Sequence, residues 1–174
     1  MVALDSTPIT YSHNSVKALL LIFVAGCGTT VHVDVSPQTH ENPAVLDRLV
    51  LQVHEKVNAH RATKNLPALR LDTRINKIAR RHSAAMAQNA KDFNHRGFDS
   101  RVRAIRKALP YRAVAENLAY NHSSDPAASA MRSWLQSKDH REALEGQFTI
   151  TGIGVAMTPN GRYYFTQLFV LPLR

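Results

Sequence analysis

The sequence predicts an α+β fold in which helices cover a small, mostly antiparallel sheet, and three observations lead to this prediction. Apolar residues recur at three- and four-residue steps over residues 43–90, which is the spacing of amphipathic helices. Two segments near the C-terminus are rich in β-branched and aromatic residues, and Asn160-Gly161 between them is a strong hairpin signal. Helices that come first and strands that come late are typical of α+β domains.

Two long helices are predicted at the start of the domain. The first begins at Asn42 and Pro43, a capping side chain followed by Pro at the first helical position. It ends near Asn65, because Pro67 cannot continue a helix. The second covers residues 72–90, with the aspartate at its start as the cap.

The later elements are shorter. The segment Val114–Tyr120 has a mixed pattern that fits either a strand or an irregular stretch. The predicted elements around it are a basic helix over 99–109 capped by Asp99, helices over 126–136 and 138–144, and strands over 149–157 and 162–171.

Composition favours one soluble globular domain. The chain has 174 residues, of which 44% are hydrophobic and 20% are charged. Its single cysteine excludes an internal disulfide and any zinc site built from several cysteines. The sequence contains no apolar stretch of the roughly 20 residues that a membrane-spanning helix needs.

The net charge of +9 comes from 22 basic and 13 acidic residues, and much of it lies in two runs, 70–81 and 96–107. These runs fit a solvated basic face. They also fit attraction to an anionic envelope surface, such as phospholipid, lipopolysaccharide or a wall polymer, within the screening length of about 8–10 Å. No nucleic-acid partner is expected, because no DNA- or RNA-binding motif accompanies the charge.

The N-terminal segment resembles the export signal of bacterial lipoproteins. Lys17 precedes an apolar run over 18–25, which has signal-peptide length and is too short to span a bilayer. The run ends in Val24-Ala25-Gly26-Cys27, which is similar to a lipobox, where small residues admit a peptidase and the thiol receives the lipid. We therefore predict a signal peptide over 1–26 and lipidation of Cys27.

This leader predicts a location and a domain boundary. Residues 1–16 contain Asp5 but no Lys or Arg, which is unusual for such a leader, and initiation at Val16 would place a lysine directly after the start. Residues 27–42 are predicted to be a polar tether and 43–174 the folded domain. The lipidated cysteine would anchor the protein to the membrane, at the outer membrane or cell surface, since Gly28 rather than an acidic residue follows it.

Five motifs in the domain occur in the order seen in the CAP superfamily. They are Phe93-Asn-His95-Arg-Gly97, Ala115-Glu116-Asn117, Ser133-Trp134-Leu-Gln-Ser137, Asp139-His140-Arg141 and the segment from Gly152 to Gln167. Over about residues 45–170 the chain thus resembles this superfamily, also called the SCP domain, which includes cysteine-rich secretory, antigen 5 and pathogenesis-related proteins. Its cysteine-poor form is similar to the bacterial branch. The resemblance implies an α-β-α sandwich.

The resemblance also implies a cleft that presents two His and two Glu. His95 matches the first His, and Glu116 matches the first Glu. Ser137 stands where the second Glu would fall, and Tyr164 stands where the second His would fall, so two positions depart from the animal and plant pattern. His140 is the natural substitute in the bacterial form. The side chains expected to line the cleft and contact a ligand or cofactor are Asn117, Ser137 and Tyr164.

The chemistry of His95, Glu116 and His140 has more than one interpretation. The two imidazoles could bind a divalent metal such as zinc, with the carboxylate orienting one ring. Alternatively, Glu116 could act as a general base beside a polarising His. The chain has neither the His-Glu-x-x-His motif nor the Gly-x-Ser-x-Gly motif, so no catalytic motif is complete.

Each candidate also has a structural interpretation. Glu116 and Asn117 could tie down a loop by hydrogen bonds, and His140 with Arg141 could cap a helix end. Trp134 is predicted to lie in the core. The histidines without a companion motif are expected to be structural or to face solvent, and they are His13, His54, His60, His82 and His122.

Three functions remain open for an exported, envelope-anchored protein of this kind. The first is a binding or interaction module whose His/Glu cleft holds a small ligand or a metal without turnover. The second is a metal- or His/Glu-dependent hydrolase of peptide or cell-wall material. The third is a structural protein whose basic face binds anionic wall polymers. The lack of a complete catalytic motif favours the first.

Overall fold

The computed structural model describes residues 42–88 and 93–173. In this part of the chain the elements are, in order, α1 (Pro43–Thr63), β1 (Arg70–Leu71), α2 (Thr73–Gln88), α3 (Phe98–Ala108), β2 (Tyr111–Asn121), α4 (Pro126–Gln136), α5 (Lys138–Glu145), β3 (Ile150–Met157) and β4 (Tyr163–Pro172).

The predicted leader, Cys27 and most of the tether lie outside the described residues. The described residues all belong to the unit Pro37–Arg174. None of the helices in this part of the chain is both long and apolar enough to cross a membrane.

Side-chain caps begin the helices where the sequence predicts them. Asn42 Oδ1 accepts a hydrogen bond from the backbone N–H of Ala44 at 3.1 Å, which satisfies a free donor in the first turn of α1. Asp125 does the same for α4 through the N–H of Ala128 at 3.1 Å. Asp72 accepts from a backbone N–H in the first turn of α2 at 2.9 Å.

The start of α3 differs from the prediction. Gly97, and not Asp99, occupies the capping position, with a φ of 77°, and the aspartate lies inside the first turn. The chain turns into the left-handed region there, which glycine adopts without the steric cost that a Cβ brings. Asp99 still favours the helix, because a negative charge in the first turn complements the helix dipole.

The four strands form one sheet in the order β1-β3-β4-β2. Strand β1 pairs with β3 in parallel, whereas β3 with β4 and β4 with β2 are antiparallel, so the sheet is mostly antiparallel as predicted. The segment Val114–Tyr120, left open by its pattern, is part of β2. Strand β1 was not predicted, since two residues are too short to show a period.

Helices cover both faces of the sheet, which confirms the α-β-α sandwich. Helix α2 packs against β3 and β4, and α3 packs against α2 and β2. On the opposite face α1 contacts β3 and α4, and α5 contacts α4 and β2. Trp134, Phe165 and Phe169 are fully buried in the core of this second face.

Glycine in β3 brings α2 unusually close to the sheet. A Cβ on Gly154 would lie 2.2 Å from the backbone nitrogen of Arg80, and one on Gly152 would lie 2.4 Å from Ile75. Real side chains do not approach so closely, so any larger residue would push the helix away. The two glycines therefore set the distance between α2 and β3.

A buried arginine joins α1 to the connection between α5 and β3. Arg61 is 1% exposed and donates to the carbonyls of Pro67 (2.9 Å), Leu144 (2.7 Å), Gly146 (2.9 Å) and Phe148 (3.2 Å). Burial lowers the pKa of this guanidinium from its usual value. These bonds satisfy carbonyls that regular structure leaves free, so Arg61 holds three segments of the chain together.

Candidate functional site

The predicted site lies on β2, at one border of the sheet. Successive side chains of a strand point to opposite faces, so Glu116 and Asn117 serve different layers. Glu116 bonds to Arg101 of α3, on the face that carries α2. Asn117 donates to the backbone carbonyl of His140 in α5, on the other face, at 2.9 Å. The Glu-Asn motif thus links both helical layers to β2.

Three polar groups hold the Glu116 carboxylate in place. Arg101 donates from Nε to Oε2 at 2.5 Å and from Nη2 to Oε1 at 2.6 Å, which is a bidentate pair. His95 Nδ1 donates to Oε1 at 2.9 Å. The Glu116 side chain is 1% exposed and that of Arg101 9% exposed, so this ion pair is buried.

Arg101 also fixes the loop that carries His95. Its Nη1 donates to the carbonyl of Arg96 at 3.0 Å, and its Nη2 donates to the carbonyl of His95 at 3.3 Å. Arg101 belongs to the basic run 96–107, for which the sequence predicts either a solvated face or one that attracts an anionic surface, and for this buried residue neither expectation holds. The sequence did contain a signal for the burial of Arg101, since Arg101 and Ile105 lie four residues apart and share the buried side of α3.

His95 stands at the surface of the site. Its side chain is 54% exposed, in the loop before α3 where the sequence predicts it. Because Nδ1 donates to Glu116, this ring is held in one orientation and Nε2 is left to face other partners. The arrangement is a carboxylate–imidazole pair whose carboxylate is already neutralised by a guanidinium.

His140 brings a second imidazole to the same region from α5. Its Nδ1 is buried and has no hydrogen-bond partner within the described ranges. Burial lowers the pKa of His140, the electrostatic interaction with nearby His95 lowers it further, and Asp139 opposes the shift. His140 is therefore neutral at physiological pH, with one ring nitrogen as donor and the other as acceptor.

His82 supports the His95 loop from α2. Its Nε2 donates to the carbonyl of Asn94 at 3.2 Å. Burial lowers the pKa of His82, Arg101 lowers it further, and Glu116 opposes both. The expectation that this histidine is structural is consistent with these contacts, because it positions the loop rather than facing solvent.

Ser137 and Tyr164, the other predicted cleft residues, lie in different places. Ser137 connects α4 to α5, and its carbonyl accepts from the backbone N–H of Arg141 at 3.0 Å. Tyr164 is 1% exposed. Its ring lies 5.9 Å from that of Tyr120 and 6.4 Å from that of Phe93, which is two residues before the site histidine.

The remaining structural expectations are consistent with the contacts. Trp134 is fully buried and donates from Nε1 to the carbonyl of Leu118 at 2.9 Å. Arg141 donates to the carbonyl of Leu135 at 2.7 Å and so caps the end of α4. The other described histidines bond to protein groups, namely His54 to Leu69, His60 to Glu145 and His122 to Arg162.

The site does not fit a catalytic zinc centre with three protein ligands. Within residues 42–88 and 93–173, no three His, Cys, Asp or Glu side chains converge closely enough to hold a metal ion. Both oxygens of Glu116 bond to Arg101, whose positive charge would also repel a cation. Of the predicted set, His95 and His140 are the candidates that remain, and two imidazoles do not complete such a centre.

Solved structures share this fold. An extracellular protein containing an SCP domain from Bacillus anthracis matches with a TM-score of 0.63 and 26% identity, over 73% of this chain and 41% of that chain. This chain therefore spans about two fifths of that protein's length. An outer surface protein from Borrelia burgdorferi matches with a TM-score of 0.64 and 21% identity, over 72% of this chain and 94% of that chain.

A third structure and a family model extend the comparison. A cysteine-rich secretory protein from Staphylococcus aureus matches with a TM-score of 0.57 and 20% identity, over 76% of this chain and 40% of that chain. A search of the curated proteins found no match. The model of the CAP cysteine-rich secretory protein family matches residues 54–169, well over half of the chain, and this range contains His95, Glu116 and His140. The chain belongs to the CAP family, the cysteine-rich secretory protein family.

Proposed function

We propose that this chain is an exported binding module of the cell envelope, whose cleft at β2 holds a small ligand without chemical turnover. The observation that carries the proposal is the state of Glu116. Both of its oxygens bond to buried Arg101, and one also accepts from His95. Both oxygens of this carboxylate are occupied by charge-assisted hydrogen bonds from the protein, so neither is free to orient a water or a substrate proton as a general base must.

The groups that remain open in the cleft are imidazoles and aromatic rings. His95 offers Nε2 at an exposed ring, and His140 is a neutral donor and acceptor. Phe93 is 37% exposed and Tyr120 is 50% exposed, with ring centroids 4.8 Å apart. These features favour a ligand that has a polar group for the imidazoles and an apolar part for the rings.

Binding to soluble cell-wall fragments tests the cleft directly. We expect muropeptides to shift the NMR signals of His95 and His140, and we expect the variants His95→Ala and His140→Ala to lose at least tenfold in affinity. His122→Ala is the matched control, because this exposed histidine bonds to Arg162 instead. A lack of binding in the wild-type protein would contradict the proposal for this ligand class.

Hydrolysis of peptide or cell-wall material is the first alternative function, and the same muropeptides can test it as substrates. His95 and Glu116 form a carboxylate–imidazole pair, which is a geometry that could activate water. Chromatography of muropeptides and of a peptide substrate after incubation would reveal cleavage. We expect none, and product that disappears in His95→Ala and Glu116→Gln would overturn the proposal in favour of catalysis.

The second alternative is that the cleft holds zinc through His95 and His140 instead of a small organic ligand. Two imidazoles without a third protein ligand predict weak binding, so purified protein should not retain zinc at one ion per chain. Metal analysis of the wild-type protein and of His95→Ala and His140→Ala checks this. Stoichiometric zinc that is lost in both variants would establish a metal-binding cleft.

The proposed location rests on the leader and on the family. Cys27 stands at the end of a lipobox-like segment, and relatives of this fold include an extracellular protein and an outer surface protein. We expect the mature protein to begin at a lipidated Cys27 and to sediment with membranes, and we expect Cys27→Ala to abolish lipidation. Intact-mass analysis of the exported protein decides this, and another mature N-terminus would contradict it.

A basic outer surface supports a second candidate function, binding to anionic wall polymers. Helices α2 and α3 pack side by side, and their solvent side carries seven exposed basic residues, which are Arg74, Lys77, Arg80, Arg81, Arg103, Arg106 and Lys107. Attraction to a polyanion through this surface does not require the cleft. The two functions are therefore separable by substitutions in different parts of the molecule.

A further inference from the structure

Three buried polar atoms belong to neighbouring residues of β2, β4 and α5. Asn117 Oδ1, Gln167 Oε1 and His140 Nδ1 are all buried, and none has a hydrogen-bond partner in the described part of the chain. The side chains of Asn117 and Gln167 belong to residues that are 0% exposed. Buried polar atoms are almost always paired, so three unpaired atoms on neighbouring residues indicate a missing partner.

The sheet register brings these atoms together. Asn117 of β2 lies directly opposite Gln167 of β4, so both side chains point to the face that carries α5. The Asn117 Nδ2 donates to the carbonyl of His140 at 2.9 Å, which places the histidine beside the amide pair.

Hydrogen bonds fix the orientation of both amides. Gln167 Nε2 donates to Thr151 Oγ1 at 3.1 Å, and Asn117 Nδ2 donates to a backbone carbonyl. Because each nitrogen is already used, turning either amide would lose a bond, and the two oxygens must remain acceptors. The partner that these oxygens lack is a donor of two hydrogens.

We infer that Asn117, Gln167 and His140 form a buried site for one small neutral hydrogen-bond donor of water size, and that this site sets the tautomer of His140. One water can donate to both amide oxygens and accept one bond from a protonated His140 Nδ1. The three bonds are typical of a buried water.

The opposite tautomer leaves an atom unsatisfied. If His140 Nδ1 were unprotonated, three acceptors would compete for the two hydrogens of one water. A small cation such as ammonium could supply a third hydrogen. However, the groups named here are two amides, a hydroxyl and an imidazole, and they offer no counter-charge for a buried cation.

The inferred tautomer decides what His140 presents to a ligand. With the proton on Nδ1, the Nε2 of His140 carries a lone pair and accepts a hydrogen bond. Asn117 and Gln167 are then positioning residues, since they act on a ligand through His140. The consequence for ligand binding rests on the proposed function, whereas the tautomer is a property of the free protein.

NMR of the ¹⁵N-labelled histidine ring tests the inference without any ligand. At pH 7.5 the wild-type protein should show His140 protonated at Nδ1. Gln167→Met replaces one amide with an apolar side chain of nearly the same size. It should raise the Nε2-protonated population of His140 several-fold. Thr166→Val is the matched control, because this buried residue is next in β4 but bonds to Ser83 on the other face.

Each outcome counts for or against the site. An Nε2-protonated His140 in the wild-type protein would overturn the inference, as would an equal change in Gln167→Met and Thr166→Val. A high-resolution crystal structure adds a measurement that needs no variant: one water within hydrogen-bond distance of all three atoms is expected. Direct bonding among the side chains, or a bound ¹⁵N-ammonium signal, would overturn the water site. Failure of muropeptide binding would leave these results unchanged.

Discussion

The ion pair between Arg101 and Glu116 is the residue-scale feature that most constrains this protein. Its two bonds of 2.5 and 2.6 Å are short, and both side chains are buried. Taking the two charges out of water is costly, and the bidentate geometry offsets that cost only while both partners are present. The pair therefore connects the stability of the fold with the hydrogen bonds of Glu116 in the candidate site.

Removing the arginine should destabilise the protein strongly. Arg101→Met leaves the Glu116 carboxylate buried without its cation, so we expect a loss of about 3–5 kcal/mol in the free energy of unfolding. Urea denaturation measures this loss. Arg103→Met is the matched control, because Arg103 is exposed on the same helix and bonds only to Ser100. A similar loss in both variants would contradict the role assigned to the pair.

Histidine protonation should make stability depend on pH. The pKa values of His82 and His140 are lowered in the folded protein, chiefly by burial. Below about pH 6.5 the unfolded chain therefore binds protons that the folded chain does not, and stability falls with pH until the lowered pKa values are reached. Above this window neither imidazole contributes a pH dependence.

Urea denaturation between pH 7.5 and 5.0 checks this expectation. His82→Gln and His140→Gln should each reduce the slope of unfolding free energy against pH, and His122→Gln controls for the removal of an exposed imidazole. The range stays above the acid region in which Asp72 and Glu145 titrate, since Arg74 and His60 hold the pKa values of those carboxyls below their usual range. A slope that is unchanged in both buried-histidine variants would contradict the prediction.

At the scale of elements, β2 is the strand that unites the two layers. It borders the sheet, and its neighbouring residues Glu116 and Asn117 bond to α3 and α5 on opposite faces. The His95 loop is held against it by Arg101 and by His82 of α2. The candidate site is thus built by contacts between elements rather than by any one of them.

The buried arginine of α1 makes a comparable connection elsewhere in the fold. Arg61→Met would remove four hydrogen bonds to carbonyls, of which the one to Leu144 is buried, and we expect the free energy of unfolding to fall by about 3 kcal/mol or more. Thermal and urea denaturation measure the change. Arg48→Met is the control, since Arg48 is exposed on the same helix. Rescue by Arg61→Lys is not expected, because lysine lacks the planar fork that reaches several carbonyls at once.

At the scale of the whole molecule, charge is distributed unevenly between the two helical layers. The solvent side of α2 and α3 carries the seven exposed basic residues of these helices, whereas Arg101 from the same runs is buried. A field of one sign over a surface attracts polyanions, and salt screens it. The basic surface is therefore testable by ionic strength.

Binding to polyphosphate, a soluble anionic polymer, should weaken at least about tenfold when salt is raised from about 50 to 300 mM. The triple variant Lys77→Glu, Arg103→Glu, Lys107→Glu should weaken binding at low salt in the same direction. Arg48→Glu with Arg132→Glu is the matched control, because these exposed residues lie on α1 and α4 in the other layer. Binding that does not respond to salt would exclude an electrostatic surface.

Local signals were sufficient to predict most of the elements. The caps at Asn42 and Asp125 and the Asn-Gly hairpin act over a few residues, so the pattern alone marks them. The prediction for α3 was wrong at Asp99, because the left-handed turn at Gly97 depends on how the preceding loop meets the rest of the protein. Strand β1 exists only through its pairing with β3.

The sequence by itself determined the fold class, the family resemblance and the identity of His95, Glu116 and His140 as candidates, since these depend on local periodicity and on motifs in order. Only the tertiary structure decided what surrounds them. It neutralises Glu116 with Arg101, a member of a basic run that the sequence predicts to face the outside, and it joins Asn117 to Gln167 across strands that are far apart in the chain. The physical reason is that charge pairing, burial and hydrogen-bond partners arise between elements, and these interactions leave no period in the sequence.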